Sequence, residues 1–317
     1  MKPANRKVIR LWYTDFWSNF DKENNFFTQI LRKDFDVMIT DNQPDILIYS
    51  WEGRDFLNFD CIRIYYTPEN WLMPKYKECD FSLSFEYWDD PRNLRVPNYL
   101  LYGIHPSQLD KSKVDIDRII ESHTKFCSMV VSNPNTPERN EFFRKLSKYK
   151  TVDSGGKHLN NVGGRVADKY AFISQYKFNL CFENAQHPGY TSEKLVEAMK
   201  CMTLPLYWGN PLIHFEFNTQ SFFNHADYLN DEDMIEDIIR HDQDPDLYYQ
   251  KFIRPWFEDD IPNQFFDNQR IRKFLNNIIA NKDNYTPIAR NKFKRYFYYP
   301  VGYQVNMLLP KIRKLIK

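Results

Sequence analysis

Residues 176–209, YKFNLCFENAQHPGYTSEKLVEAMKCMTLPLYWG, constrain this chain more than any other stretch, because they read as strand, loop, helix and strand. Residues 178–182 form an apolar run without alternation, the pattern of a strand buried on both faces. Glu183 and Asn184 break the run, and Pro188-Gly189 enforces a loop. Thr191 or Ser192 can cap a helix that turns Leu195, Val196, Ala198 and Met199 inward, after which residues 204–208 return as a second buried strand. Two such strands joined by a helix predict a parallel α/β sheet, whose ligands bind in the loops beyond the carboxyl ends of the strands. Here that loop carries Glu183, Asn184, Tyr190, Glu193 and Lys194.

The same rhythm runs through the first half, with strands expected at 8–11, 36–39, 46–49, 62–66 and 81–85 and a helical pattern carrying Phe26, Phe27, Ile30 and Leu31. It dissolves over 98–117 and restarts with a strand at 126–131 and a helix at 137–149; further helices are expected at 231–241 and 264–281, covering the second half. At 317 residues the chain is long enough for two cores. The reading is α/β, with two Rossmann-like domains facing a cleft: an N-terminal domain over 1–115, a C-terminal domain over 116–289 and a tail over 290–317.

Charge and cysteine content bound the function. The net charge of +1 offers no global attraction for nucleic acid, but its distribution is uneven. No acidic residue follows Asp283, and residues 290–317 hold eight Lys or Arg, leaving 35 basic and 42 acidic groups in residues 1–289. Within the tail, Val305, Leu308, Leu309, Ile312, Leu315 and Ile316 recur at helical spacing against Lys311, Arg313, Lys314 and Lys317. That pattern suits an anionic membrane surface, or equally a helix packed on the body or a disordered end. Cys61, Cys79, Cys127, Cys181 and Cys201 form an odd set without a CxxC pair, which argues against a disulfide framework. With no signal-like apolar stretch at the start and no run long enough to span a bilayer, the expected setting is cytoplasmic, peripheral at most on the inner face of a membrane.

Candidate chemistry gathers at strand ends. In SNPNTPERNEFFRKL (132–146), Thr136 can cap, Pro137 fits the first helical position and Arg139 lies in the first turn, where free N–H groups and an arginine make a phosphate cradle. Arg139 also reads as a solvated residue pairing with Glu138 or Glu141. Lys194 has a similar placement after Ser192; alone it also reads as a surface lysine, but a diphosphate bridging the two helix starts would satisfy both cations. The segment YYTPENW (65–71) ends a strand with Glu69, either a turn residue or a general base. The loop DSGGKHLNNVGGRV (153–166) reads as a lid, a close-approach loop or a flexible connection, and is no Walker motif because His158 follows Lys157. Asp-x-Asp pairs at 115/117, 231/233, 242/244 and 244/246 sit at helix starts and acidic turns rather than strand ends, so no metal site is assigned to them.

Taken together, YKFNLCFEN…GYTSEK…PLYWGNP, YYTPEN and SNPNTPERNEFF resemble, in the same order, three blocks of the bacterial α-1,3-fucosyltransferases of the Helicobacter type. The resemblance spans roughly residues 60–210 and departs from the pattern at AQHPG, which brings in His187 and Pro188. It implies a GT-B-type fold, with acceptor recognition mainly N-terminal and GDP-fucose held by the C-terminal domain. Glu69 would be the general base. Arg139 and Lys194 would hold the diphosphate, with Asn184, Tyr190 and Glu193 around the ribose and fucose. The implied reaction is inverting transfer of L-fucose to the 3-OH of GlcNAc in an N-acetyllactosamine-type glycan, as in Lewis-antigen-like lipopolysaccharide, with no required cofactor and a divalent metal at most stimulatory. Other readings are a GT-B transferase using another nucleotide sugar, or a non-catalytic glycan-binding protein on a membrane.

Overall fold

The computed structural model describes residues 6–70 and 72–290, in two compact units. One comprises the chain up to residue 84, residues 88–95 and the chain from 268; the other comprises 85–87 and 96–267.

The first unit is a six-stranded parallel sheet. In chain order it holds β1 (Val8–Thr14), α1 (Phe26–Leu31), β2 (Asp36–Ile39), β3 (Ile46–Tyr49), β4 (Ile62–Tyr66), β5 (Phe81–Ser84) and β6 (Asn93–Arg95). The strand order is β2-β1-β3-β4-β5-β6. Strands β3, β4 and β5 are buried along their whole length, matching their unalternated sequences. Helix α1 begins where Asn25 accepts from the Thr28 N–H, and it buries Phe27, Ile30 and Leu31.

The second unit holds α2 (Ile116–Ser122), β7 (Lys125–Met129), α3 (Pro137–Leu146), β8 (Val152–Ser154), α4 (Lys169–Ile173), β9 (Tyr176–Leu180), α5 (Glu193–Lys200), β10 (Leu204–Tyr207), β11 (Phe223–Asn224), α6 (Asp231–Gln243) and α7 (Pro245–Phe252). Its parallel sheet runs β11-β10-β9-β7-β8. Asn179, a polar residue inside buried β9, donates to Ser128 O at 3.2 Å and Ser128 Oγ at 2.8 Å on the adjacent strand β7, so its amide is satisfied without water.

Both units are Rossmann-like parallel α/β assemblies, as expected from the sequence. Helix α8 (Asn268–Ala280) corrects one expectation: the helix foreseen at 264–281 forms but belongs to the first unit rather than covering the second. Its Arg272 Nε donates to Asp34 Oδ2 at 2.6 Å and its Asn276 amide donates to the same oxygen at 2.7 Å, fastening it beside α1. The division between units also falls at 84–96 and 267–268 rather than at 115/116. Residues 291–317, which include the basic amphipathic pattern, lie outside the described residues. Among the described residues no helix is long and apolar enough to cross a membrane.

Candidate active site

In the second sheet the chain leaves β7 for β8 on one side and then returns to β9 on the other. A crevice opens at such a reversal, beyond the carboxyl ends of the two central strands. The loops placed there are 130–136 after β7 and 181–192 after β9.

Arg139 joins these two loops. Its guanidinium is fully buried, donating from one terminal nitrogen to Asn133 O at 2.6 Å and from the other to Phe182 O at 3.2 Å and Asn184 Oδ1 at 3.1 Å. It is therefore neither solvated nor paired with Glu138 or Glu141. Its Nε has no hydrogen-bond partner among the described residues. Burial pulls its pKa down and the charge of Glu183 works the other way. Thr136 occupies the N-cap position of α3 but makes no side-chain cap; its Oγ1 donates instead to Asn184 O at 3.4 Å, a second tie between the loops.

Lys194 forms the other cluster. Ser192 is the cap of α5, accepting from the Lys194 N–H, and Glu193 and Lys194 fill the first turn. The Lys194 ammonium donates to Glu183 Oε2 at 3.1 Å and Ser192 Oγ at 3.0 Å. Glu183 is fully buried and also accepts from the Ser192 N–H at 2.7 Å and Ser192 Oγ at 2.5 Å. Burial opposes the charge on Lys194, yet Glu183 and Glu193 outweigh it and push its pKa up. Burial likewise disfavours the Glu193 carboxylate, but Lys194 and Lys169 hold its pKa below the usual range. Tyr190, 3% exposed, lies within electrostatic reach of both Arg139 and Lys194.

Sequence reading placed Glu183 in the ligand loop without giving it a role, and it did not single out Asn210 or Glu216. Glu183 reads as a strand breaker, but it is the carboxylate around which Ser192 and Lys194 are arranged. It fits because a Cβ on Gly209 would lie 2.5 Å from Glu183 Cγ. Asn210 accepts from Gly189 N at 2.7 Å and donates to Glu216 Oε1 at 2.9 Å, and Glu216 Oε1 also accepts from Thr191 Oγ1 at 3.0 Å. The pattern WGNP hints at a turn there; nothing in HFEF marks Glu216. The loop at 153–166 is the close-approach alternative. A Cβ on Gly156 would meet Val131 O at 1.9 Å, and Asn160 bonds Gly156 O and both backbone groups of Gly164.

In the first unit the order reverses between β1 and β3. Just beyond β1, half-buried Phe16, Trp17 and Phe20 cluster, with Phe16 and Phe20 stacked at 4.0 Å. Phe16 lies parallel to Tyr66 at 6.1 Å, and Tyr66 ends β4. Glu69 follows in the same loop, half-buried, with its N–H on Thr67 Oγ1 at 3.1 Å. Of the expected site residues, the structure groups Arg139 with Asn184, and Tyr190 with Glu193 and Lys194, in the second unit; Glu69 stands in the first.

The Asp-x-Asp pairs serve folding. Asp115 and Asp244 cap α2 and α7, Asp231 lies in the first turn of α6, and Asp242 pairs with Lys150 and Lys177.

Residues 11–102 match the family model of the α-(1,3)-fucosyltransferase FucT N-terminal domain, and residues 120–274 match that of the glycosyltransferase family 10 (fucosyltransferase) C-terminal region. The α-(1,3)-fucosyltransferase FucT of Helicobacter pylori is 35% identical over 207 residues, 56% of this chain and 43% of that protein. A Bos taurus 3-galactosyl-N-acetylglucosaminide 4-α-L-fucosyltransferase is 29% identical over 203 residues, 63% of this chain and 53% of its own length. The chain thus spans about half the length of these curated relatives. A crystal structure of an α1,3-fucosyltransferase with GDP superposes with a TM-score of 0.76 at 25% identity, covering 92% of this chain and 95% of that one. The Anabaena protein HepE with UDP and glucose, 10% identical at a TM-score of 0.53 over 86% of this chain and all of its own, shares the fold.

Proposed function

The chain belongs to glycosyltransferase family 10, the fucosyltransferases, and from that membership we propose that it transfers L-fucose from GDP-fucose to the 3-OH of GlcNAc in an N-acetyllactosamine-type glycan, with inversion. The observation that carries the donor half is that the loops beyond β7 and β9, at the reversal of the second sheet, hold both buried Arg139 and Lys194 at the start of α5. The related α1,3-fucosyltransferase has been crystallised with GDP and with GDP-fucose.

In this reading Lys194 is the cation that touches the diphosphate. An ammonium has three hydrogens, and Glu183 and Ser192 engage two of them. Arg139, sealed beneath the loops, acts through its charge and by bracing Asn133 against Asn184. Asn184, Tyr190 and Glu193 surround the ribose and fucose. Glu69 takes the proton from the acceptor hydroxyl as its oxygen bonds to the anomeric carbon. The bond from that carbon to the phosphate oxygen breaks, and its electron pair leaves with GDP. Fixed cations stabilise the charge gathering on the diphosphate, so no protein acid is needed on that side. We assign no obligatory metal to the reaction.

Acceptor binding falls to the first unit, where half-buried Phe16 and Trp17 offer aromatic faces near the strand that leads to Glu69. The glycan would belong to Lewis-antigen-like surface polysaccharide, and the basic segment 290–317 would bring the protein to an anionic inner membrane face.

Incubation with GDP-fucose, GDP-mannose and UDP-sugars, with and without N-acetyllactosamine and with and without a chelator, tests this directly. GDP release and a fucosylated product only with GDP-fucose, persisting under chelation, are expected. Release from a different donor would replace the assignment, and binding of glycan without release from any donor would make this a lectin-like protein.

A further inference from the structure

His187 and Pro188 stand where the chain departs from the pattern it resembles, in the loop that delivers Tyr190. That loop is held from a second direction. Residues Phe85, Glu86 and Tyr87 follow β5 directly in sequence, yet they belong to the second unit. Glu86 is 6% exposed, and its Oε1 lies 2.9 Å from His187 Nε2. Facing a carboxylate, that nitrogen carries the hydrogen and donates. The Phe85 ring meets both His187 and Tyr190 edge-on, each at 5.4 Å between centroids. Tyr87 donates its hydroxyl to Glu216 Oε1 at 3.1 Å, the oxygen that also receives Thr191 and Asn210.

The loop is also fixed by Asn210, whose Oδ1 takes the Gly189 N–H, with Gly189 at φ +86°. This is a left-handed turn that favours glycine. The four residues from His187 to Tyr190 are thus held by Glu86, Phe85 and Asn210 together. The hydrogen bond from His187 to this buried carboxylate ties the start of the loop to the 85–87 segment.

We propose that Glu86 and His187 form a positioning latch that holds the 187–190 loop, and with it Tyr190, in the conformation that receives the nucleotide sugar. The inference rests on the reading of this loop as the donor site. Neither residue touches the reacting atoms; both act through Tyr190.

The test uses the whole chain and four variants: His187→Ala, His187→Gln, Glu86→Gln and the double variant Glu86→Gln/His187→Ala. The latch predicts that His187→Ala raises the KM for GDP-fucose about tenfold, the scale of a lost hydrogen bond to a charged group, with kcat changed much less. His187→Gln, which keeps an N–H donor, should recover most of the loss, and the double variant should be no worse than the single. Hydrogen–deuterium exchange should rise across 185–191 in His187→Ala without GDP present. An unchanged KM and exchange in a folded His187→Ala protein would overturn the latch, as would a His187→Gln variant as impaired as His187→Ala. A wild-type chain that turns over no GDP-fucose would overturn the donor reading instead, and the exchange measurement would still decide whether the latch exists.

Discussion

The ammonium of Lys194 sits 3.1 Å from the fully buried carboxylate of Glu183. A cation meant only for a ligand would stay in water until the ligand arrived; this one is desolvated and oriented beforehand, as preorganised electrostatic stabilisation requires. Removing it alone strands a buried carboxylate. Lys194→Met should therefore cost about 3 kcal/mol of stability, read from denaturant midpoints, and also abolish most GDP affinity. Adding Glu183→Gln should recover stability without recovering GDP binding by calorimetry. Recovery of both would show that Lys194 supports the fold and not the donor.

Gly209 lets Glu183 occupy its place. A Cβ there would come within 2.5 Å of Glu183 Cγ and 2.8 Å of the Tyr207 hydroxyl, both on buried side chains. Gly209→Ala should destabilise by about 1–3 kcal/mol through overpacking. Because the displaced atom belongs to the Lys194 partner, the GDP dissociation constant should rise as well. A Gly209→Ala protein with wild-type GDP affinity would show that Glu183 can shift without moving Lys194.

Glu69 is assigned a proton transfer and no part in holding the donor. Glu69→Gln keeps the size of the side chain and removes the base, so transfer to N-acetyllactosamine should fall on the order of 10²–10⁴-fold. GDP affinity should stay within twofold of wild type. If full transfer survived, another group would have to accept the proton.

The central strands were legible because burial imposes their pattern: 46–49 and 62–66 appear with the boundaries the apolar runs suggest. The three-residue strands β6 and β8 and the short helix α4 were not, being too brief to show a period. Helix α8 was visible as a helix but not as part of the first unit, since its partner Asp34 lies 238 residues away in sequence. In the candidate site, the helix-start positions of Arg139 and Lys194 were legible, but not the burial of the Arg139 guanidinium or the contact of Lys194 with Glu183. Glu216 and Asn210 did not stand out, and Glu183 stood out only as a loop residue, because a buried polar hub depends on contacts brought together only by the fold.

The Asp34–Arg272 pair makes α8 sensitive to acid. Hydrogen bonding from Arg272 lowers the Asp34 pKa from 3.8 to about 2. A depressed carboxylate contributes stability that is complete above its unfolded pKa and is lost as pH falls toward the folded one. Asp34→Asn should thus lower Tm at pH 7, and the gap to wild type should close between about pH 4 and pH 2. A gap that stayed constant through that window would mean that the carboxylate charge contributes nothing to holding α8.

Half-buried rings beyond β1 give the acceptor side its sharpest test. Phe16 lies parallel to Tyr66 at 6.1 Å and is stacked on Phe20 at 4.0 Å, while Trp17 meets Phe16 edge-on at 5.4 Å. Rings held in this way lose little freedom when a sugar packs against the cluster, so the contact favours binding. Trp17→Ala should raise the KM for N-acetyllactosamine by about tenfold while leaving the KM for GDP-fucose and the GDP dissociation constant unchanged. Phe16→Ala should do the same and in addition lower Tm, because that ring also packs against the end of β4. The separation of acceptor from donor effects is what the assignment requires: if Trp17→Ala weakened donor binding and left acceptor KM alone, the rings would serve some other purpose and the acceptor would have to be sought elsewhere.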